Sequence, residues 1–292
     1  MRPIGLVGVG YIGKLFVDRL LAAGYPLTVY DVDDRQTAYA TERGATAAES
    51  PAEVAREVET LVLALPGSAE VEATMAGGGD GDGAIAAFDG GELVVDASTT
   101  RPATSVACEE RCDAAGVDFV EAPITGGAPR EGYHLMVGGT ADRYERASDL
   151  LDALGDDHVR VGPVPRGTVF KLGLQMRYAG HRAVDAEVVE FVRDNDVDPS
   201  LFSEFLGFDV WERYLTGDFT QDIEGLGGLA IWDKDVGYAR EFARERGTAL
   251  PLAAVVHEAY KAAVRRADDD EGHAAALVRY WLALNDAADR YD

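Results

Sequence analysis

The chain has 292 residues, 47% of them hydrophobic, and its 52 Asp and Glu outnumber 27 Lys and Arg for a formal net charge of −25. That length accommodates two domains with cores of ordinary size, while an acidic surface repels nucleic acid and anionic membranes, so neither is an expected partner. No apolar run reaches membrane-spanning length and no signal-peptide pattern opens the chain, which makes the cytoplasm the expected compartment.

IGLVGVGYIGKLFVDRLLAAG reads as an apolar strand, then Gly8-x-Gly10-x-x-Gly13, then an amphipathic helix closed by Gly24. The strand LTVYD follows and ends at Asp31. Glycines after a strand let the backbone turn tightly and approach a pyrophosphate, which then sits on the helix N-terminus. An acid ending the second strand accepts from ribose hydroxyls. In this order and spacing, Gly8, Gly10, Tyr11, Ile12, Gly13 and Asp31 form an expected dinucleotide site. With Asp33 and Asp34 beside Asp31, a 2′-phosphate meets like charge, so NAD is expected rather than NADP.

TLVLALP (60 to 66), ELVVDAST (92 to 99), DFVEAPITGG (118 to 127) and HLMVGG (134 to 139) continue the strands, with helical stretches between most of them. The expected fold class is therefore an α/β Rossmann domain with a doubly wound, largely parallel sheet. Ligands in such sheets bind beyond the strands' carboxyl ends, so Leu65-Pro66, Ser98-Thr99-Thr100 and Thr125-Gly126-Gly127 are candidate loops. Taken alone, Leu65-Pro66 is only turn chemistry. After Thr125, two glycines expose successive N–H groups suited to a carboxylate. The glycine-aspartate run Gly77 to Gly83 is read as a crossover loop, since one unit cannot build a stacked calcium site. Cys108 and Cys112, four apart on a helix without a matching Cys/His pair, are read as reduced structural thiols.

After HVRVGPVP (158 to 165) the strand-like runs stop. The expected division is 1–163 for the dinucleotide domain and 164–292 for an all-helical domain. That second domain opens on GTVFKLGLQMRYAGHRAVDAEVVEF, where apolar residues occupy nearly every side, as in a helix buried by its neighbours. It carries Lys171, one of only four lysines in the chain. A lysine in such a run either snorkels to solvent or has a partner or task. Gln175 lies one turn on, on the same face. The acids are spread along the chain, in runs such as Asp194 to Asp198 and Asp268 to Glu271, a halophilic pattern in which counterions relieve self-repulsion.

Gly8-Val-Gly-Tyr-Ile-Gly13, Leu65-Pro66, Asp96-Ala-Ser-Thr99, Ala122-Pro-Ile-Thr-Gly-Gly127 with Gly132, Lys171 with Gln175, and Lys234-Asp235 together resemble the β-hydroxyacid dehydrogenases. The resemblance spans most of the chain. It implies NAD-dependent hydride transfer with a small β-hydroxy acid of the 3-hydroxyisobutyrate kind. It also implies a helical domain contributing the substrate cleft and a homodimer or homotetramer interface. By the resemblance, Lys171 is the catalytic acid/base, favoured as a neutral amine by its apolar surroundings and a cationic nicotinamide. Thr125, Gly126 and Gly127 take the substrate carboxylate, with Gln175 and Thr99 beside it. Leu65, Pro66, Thr99 and Lys234 join the cofactor contacts, and no metal is required.

Thr125 stands where the family usually has serine, and Gln175 where it usually has asparagine. Each adds a carbon, so the substrate is less fixed than the reaction. Sugar acids of the threonate or 6-phosphogluconate type and tartronate semialdehyde are the alternative substrates. Arg177 and His181 either meet an extra polar group on such an acid or face solvent or a partner subunit. An imine reductase, which generally lacks the lysine, and a silent NAD-binding sensor are the readings from other classes.

Overall fold

The computed structural model describes residues 3–76, 83–126, 131–208, 229–266 and 277–287. Two compact units form, Met1–Lys171 and Leu172–Asp292. In the first, short apolar runs alternate with helical stretches to give β1 (Ile4–Val7), α1 (Tyr11–Ala22), β2 (Leu27–Tyr30), α2 (Asp34–Thr41), β3 (Thr46–Ala47), α3 (Pro51–Arg56), β4 (Thr60–Leu63) and α4 (Ser68–Ala76). They continue as β5 (Leu93–Asp96), α5 (Pro102–Ala114), β6 (Asp118–Glu121), β7 (Ile124–Thr125), β8 (His134–Gly138), α6 (Ala141–Leu154) and β9 (Asp157–Gly162).

The sheet runs β3-β2-β1-β4-β5-β6-β8-β7, with β9 added on β8. Pairing from β3 to β6 is parallel, whereas β8 is antiparallel to β6 and β7. Strand order reverses between β1 and β4, the switch point at which such sheets open a crevice for ligands. Register is level there. Val7 pairs with Tyr30 and Leu63, Leu63 with Asp96, and Asp96 with Glu121. The segments after those residues therefore emerge along one edge of the sheet.

Successive strand residues point to opposite faces, and both faces are covered. Leu6, Val29, Val62, Val95 and Val120 pack with Phe16, Val17 and Leu20 of α1 and Leu151 of α6. Val7, Leu61, Leu63, Val94 and Phe119 pack on the other side with Met75, Cys108 and Cys112. Burial pushes both thiols up to about 12, so they stay protonated and inert. Of the Gly77 to Gly83 run, only Gly83 lies within the described residues.

The lysine-bearing helix, α7 (Arg166–Arg193), begins in the first unit and continues into the second. The expected division before residue 164 precedes this helix; the compact units meet inside it, because its first turn is bonded to the sheet. The second unit adds α8 (Leu201–Glu204), α9 (Leu229–Arg246), α10 (Pro251–Val264) and α11 (Leu277–Leu284). Ala179, Ala183, Ala186 and Val189 form a narrow small-residue stripe on α7, and Trp232, Tyr260 and Trp281 fill the space this leaves. The rest of α7 corrects the expectation of a helix buried on every side. Phe170, Val184 and Phe191 are 55%, 57% and 70% exposed. No described helix is long and apolar enough to cross a membrane.

His257 on α10 is enclosed by charged groups. Its Nδ1 lies 2.6 Å from Arg240 Nη1 and its Nε2 lies 3.0 Å from Asp233 Oδ1. An arginine donating to Nδ1 requires the neutral ring, with the proton on Nε2 facing the carboxylate. Burial, with Arg240 and Lys261, holds the imidazole below its usual 6.5, against the opposing pull of Asp233 and Glu258. The sign follows: the contribution is complete above the unfolded value and is lost as pH falls through the folded one. The melting temperature is expected to drop on acidification below about 6.5, with a shallower slope in His257→Gln, which can still accept from Arg240 and donate to Asp233. Equal slopes in the two proteins would refute this role.

Candidate active site

The three glycines after β1 meet different constraints. Gly8 has φ +94°, and a Cβ there would lie 2.3 Å from the Ala64 carbonyl oxygen. A Cβ on Gly13 would lie 2.1 Å from the Gly8 carbonyl oxygen. The first and third glycines are therefore imposed by the fold itself. A Cβ on Gly10 would point into open space, and Gly10 is the N-cap of α1 without a side-chain cap. A ligand can approach the backbone there and meet the positive end of the helix. These residues fit a pyrophosphate. The Ile12 side chain packs on the core, so only its backbone faces this approach, while Tyr11 is exposed.

Asp31 does more than end β2. Its Oδ2 accepts from Val9 N–H at 2.6 Å and its Oδ1 from Asp33 N–H at 2.9 Å, so one carboxylate fixes both the glycine loop and the turn into α2. Each oxygen retains a lone pair for a ribose hydroxyl. Asp33 caps α2 and binds the Arg35 side chain, and Arg35 holds the Asp33 carboxyl below the usual carboxylate range. On the β4 side, Leu65 N–H donates to Ser98 Oγ at 3.0 Å, and Ser98 N–H donates to Asp96 Oδ1 at 2.9 Å. Leu65 also lines Gly8, 3.1 Å from where a Cβ would sit. Pro66 is exposed and Thr99 half-buried at the same edge of the sheet.

Lys171 is 7% exposed, and its Nζ donates to the Ile124 carbonyl at 2.9 Å. Ile124 immediately precedes Thr125 and Gly126, so the amine is bonded to the backbone at the start of the donor loop. Gly127 lies outside the described residues. The Tyr133 ring packs against Gly126, 2.6 Å from where a Cβ would be, and its hydroxyl meets that of Tyr11 at 2.8 Å. Tyr133 was not legible as a site residue, since a lone tyrosine between Gly132 and a strand carries no signal.

Glu121 was missed as well, although an acid ending the apolar run DFVE carries the same signal that singled out Lys171. It is 1% exposed. Its Oε1 accepts from Thr168 N–H at 3.1 Å and its Oε2 from Thr168 Oγ1 at 2.7 Å. Burial raises its carboxyl above the usual range, opposed by hydrogen bonds from Thr168, Ser105 and the Gly167 backbone.

In the second unit, Gln175 Nε2 donates to Asp235 Oδ2 at 2.6 Å, and Lys234 Nζ lies 3.0 Å from Asp235 Oδ1. Asp235 is 1% exposed. A carboxylate only accepts, so this bond commits the Gln175 amide nitrogen and leaves its Oε1 as an acceptor. Two residues separated by a whole helix in sequence are thus joined by a third, whose place beside Lys234 gave no such indication. Arg177 and His181 are exposed.

Residues 3–162 match the family model described as the NAD binding domain of 6-phosphogluconate dehydrogenase. Residues 166–281 match that described as NAD-binding of NADP-dependent 3-hydroxyisobutyrate dehydrogenase. The mitochondrial 3-hydroxyisobutyrate dehydrogenase of Mus musculus is 28% identical over 274 residues, which cover 89% of this chain and 81% of that protein. L-threonate dehydrogenase of Cupriavidus necator is 26% identical over 289 residues, 94% of this chain and 95% of its own. Among solved structures, the 3-hydroxyisobutyrate dehydrogenase of Mycobacterium tuberculosis with L-serine shares the fold, with a TM-score of 0.81 at 20% identity over 97% of this chain and 99% of that one.

The sheet, its switch point and the glycine loop define a Rossmann oxidoreductase that uses a nicotinamide dinucleotide. The chain belongs to the β-hydroxyacid dehydrogenase family.

Proposed function

We propose that the protein oxidises a small β-hydroxy acid of the 3-hydroxyisobutyrate kind, reversibly and with NAD, and that Lys171 is the proton-transferring group. The observation that carries this reading is the buried Lys171 amine bonded to the carbonyl that precedes the donor loop. When bound, the nicotinamide accepts the hydride in oxidation and supplies it in reduction. Lys171 as a neutral amine has two N–H groups and one lone pair. Donation to Ile124 uses one N–H and orients the rest, so the lone pair can take the substrate hydroxyl proton as the carbonyl forms. In the reverse direction the ammonium returns that proton.

Thr125 and Gly126 are proposed to hold the carboxylate through hydroxyl and backbone N–H, with Gly127 assigned to the same role from sequence. Gln175 offers its Oε1 to a hydroxyl on the substrate, and Thr99 and Lys234 complete the polar contacts. Asp31 favours NAD through the ribose, and Gly8, Gly10, Tyr11, Ile12, Gly13, Leu65 and Pro66 line the dinucleotide. Thr125 and Gln175 change the shape of the pocket and so leave the substrate less fixed than the reaction, and a sugar acid such as threonate is the second substrate reading, supported by the Cupriavidus relative. A homodimer or homotetramer is proposed because Phe170, Val184 and Phe191 expose apolar surface along α7. The buried free cysteines suit a reducing cytoplasm.

A panel of β-hydroxy acids assayed with NAD and NADP tests the assignment. The expected result is highest kcat/KM for 3-hydroxyisobutyrate or a similarly small monohydroxy acid with NAD, and a higher value for threonate would move the assignment to the sugar-acid reading. Turnover of cyclic imines without any of these acids would replace it.

A further inference from the structure

Glu121 closes a network that the reaction as described above does not use. Thr100 Oγ1 lies 3.0 Å from Ser105 Oγ, which lies 3.2 Å from Thr168 Oγ1, and that hydroxyl donates to Glu121 Oε2 at 2.7 Å. All four residues are buried. Glu121 ends β6, and the N–H groups of Thr168 and Gly167 that it receives belong to the first turn of α7. Those N–H groups have no carbonyl within their own helix.

Two glycines are shaped around this contact. A Cβ at Gly138, paired with Glu121 across the sheet, would lie 2.2 Å from Oε1. A Cβ at Gly167 would lie 2.4 Å from the Met136 carbonyl oxygen and 3.1 Å from Glu121 Oε1. The helix start and the sheet thus approach as closely as backbone permits, with the carboxyl between them. Lys171 follows Thr168 by about one helical turn. Its amine bonds Ile124, three residues after Glu121 on the same strand-to-loop segment.

We propose that Glu121 is a positioning residue for the dehydrogenase reaction: it seats the first turn of α7 on the sheet, and through that turn holds the Lys171 amine at the Ile124 carbonyl. The proposal rests on Lys171 being the acid/base group. A side chain that fixes a proton-transferring group acts on kcat, because a displacement near 1 Å at a reacting group can cost about 10²-fold. Among the described residues its hydrogen bonds run to Thr168, Ser105 and Gly167 and not to the glycine loop, so dinucleotide affinity is a separate quantity.

The test compares Glu121→Ala, Glu121→Gln, Lys171→Ala and the Glu121→Ala/Lys171→Ala double variant of the full chain. The readouts are kcat and KM for the best acid of the panel, NADH affinity and melting temperature. Glu121→Ala is expected to lower kcat by roughly 10- to 10²-fold, with KM and NADH affinity changed by less than about 3-fold, a shift too small to displace the ligand sites. Glu121→Gln should recover most of kcat, since its carbonyl accepts from the helix N–H groups while its amide donates to the hydroxyls.

The double variant should be no slower than Lys171→Ala alone, because a residue acting through Lys171 has nothing left to position. Losses that multiply in the double variant, or full kcat in folded Glu121→Ala, overturn the proposal. If Glu121→Ala does not fold, Thr168→Val in both backgrounds decides by the same criteria. Should Lys171→Ala itself keep kcat, the acid/base reading fails and takes the proposal with it. A slow Lys171→Ala beside a fast Glu121→Ala removes only the positioning role.

Discussion

Lys171→Ala is expected to lower kcat by roughly 10²–10⁴-fold, the range for loss of a positioned proton-transfer group. NADH affinity should change little, since the bonds that fix the glycine loop and Asp31 do not include this lysine. Some stability should be lost as well. Removing the amine leaves the buried Ile124 carbonyl without that donor, at a cost of about 1–3 kcal/mol. Lys171→Arg should be nearly as slow, because a guanidinium keeps the charge but does not release a proton near neutral pH. A lysine serving only to reach solvent gives the opposite pattern, with arginine tolerated and turnover per folded molecule intact in alanine. The amine bonded inside the protein at 7% exposure fits the first pattern. Stopped-flow kcat, NADH titration and melting curves on both variants decide; near-normal kcat in folded Lys171→Ala removes the residue on which the proposed function rests.

The parts of this protein that were legible in sequence are those dictated by local sterics and periodicity. Gly8 and Gly13 are forced by backbone contacts under 2.5 Å, so their spacing carries the same message in one dimension as in three. The apolar runs of β1, β4, β5 and β6 are buried on both faces, and a strand covered on both sides has to be apolar throughout. Partnership is where the sequence is silent. Lys171 stood out by its surroundings, yet Ile124 as its acceptor depends on how α7 meets the segment after β6. Glu121 and Asp235 each bind a group far away in the chain, and spacing does not encode a contact made by packing. The exposed side of α7 has a similar origin. An all-round apolar pattern states that something covers the helix, and leaves open whether the cover is this chain or a second copy.

Asp31→Ala is expected to weaken NADH binding by roughly 10- to 10²-fold, equivalent to about 1.4–2.8 kcal/mol. Two losses combine. The ribose loses its acceptor, and Val9 N–H, which donates to Asp31 at 2.6 Å, is left without that carboxylate at a fully buried residue. An unsatisfied buried donor costs about 1–3 kcal/mol by itself, and here it sits inside the loop that receives the pyrophosphate. NADPH should bind weakly to the unmutated protein, since its 2′-phosphate meets Asp31, Asp33 and Asp34, while Arg35, the nearest cation in sequence, is held by Asp33 at 2.8 Å. In Asp31→Ala the preference should therefore narrow chiefly because NADH is lost, with NADPH gaining little from the removed charge because the loop itself is loosened. Asp31→Asn separates the two contributions. Its carbonyl can still accept from Val9, so the glycine loop should stay seated and the melting temperature should stay above that of Asp31→Ala, while its amide nitrogen cannot accept from Asp33 N–H and gives the ribose a weaker partner. Fluorescence titration of NADH and NADPH against all three proteins checks the assignment. Equal affinity of the unmutated protein for both dinucleotides, or unweakened NADH binding in Asp31→Ala, would show that this carboxylate neither selects the cofactor nor holds its loop.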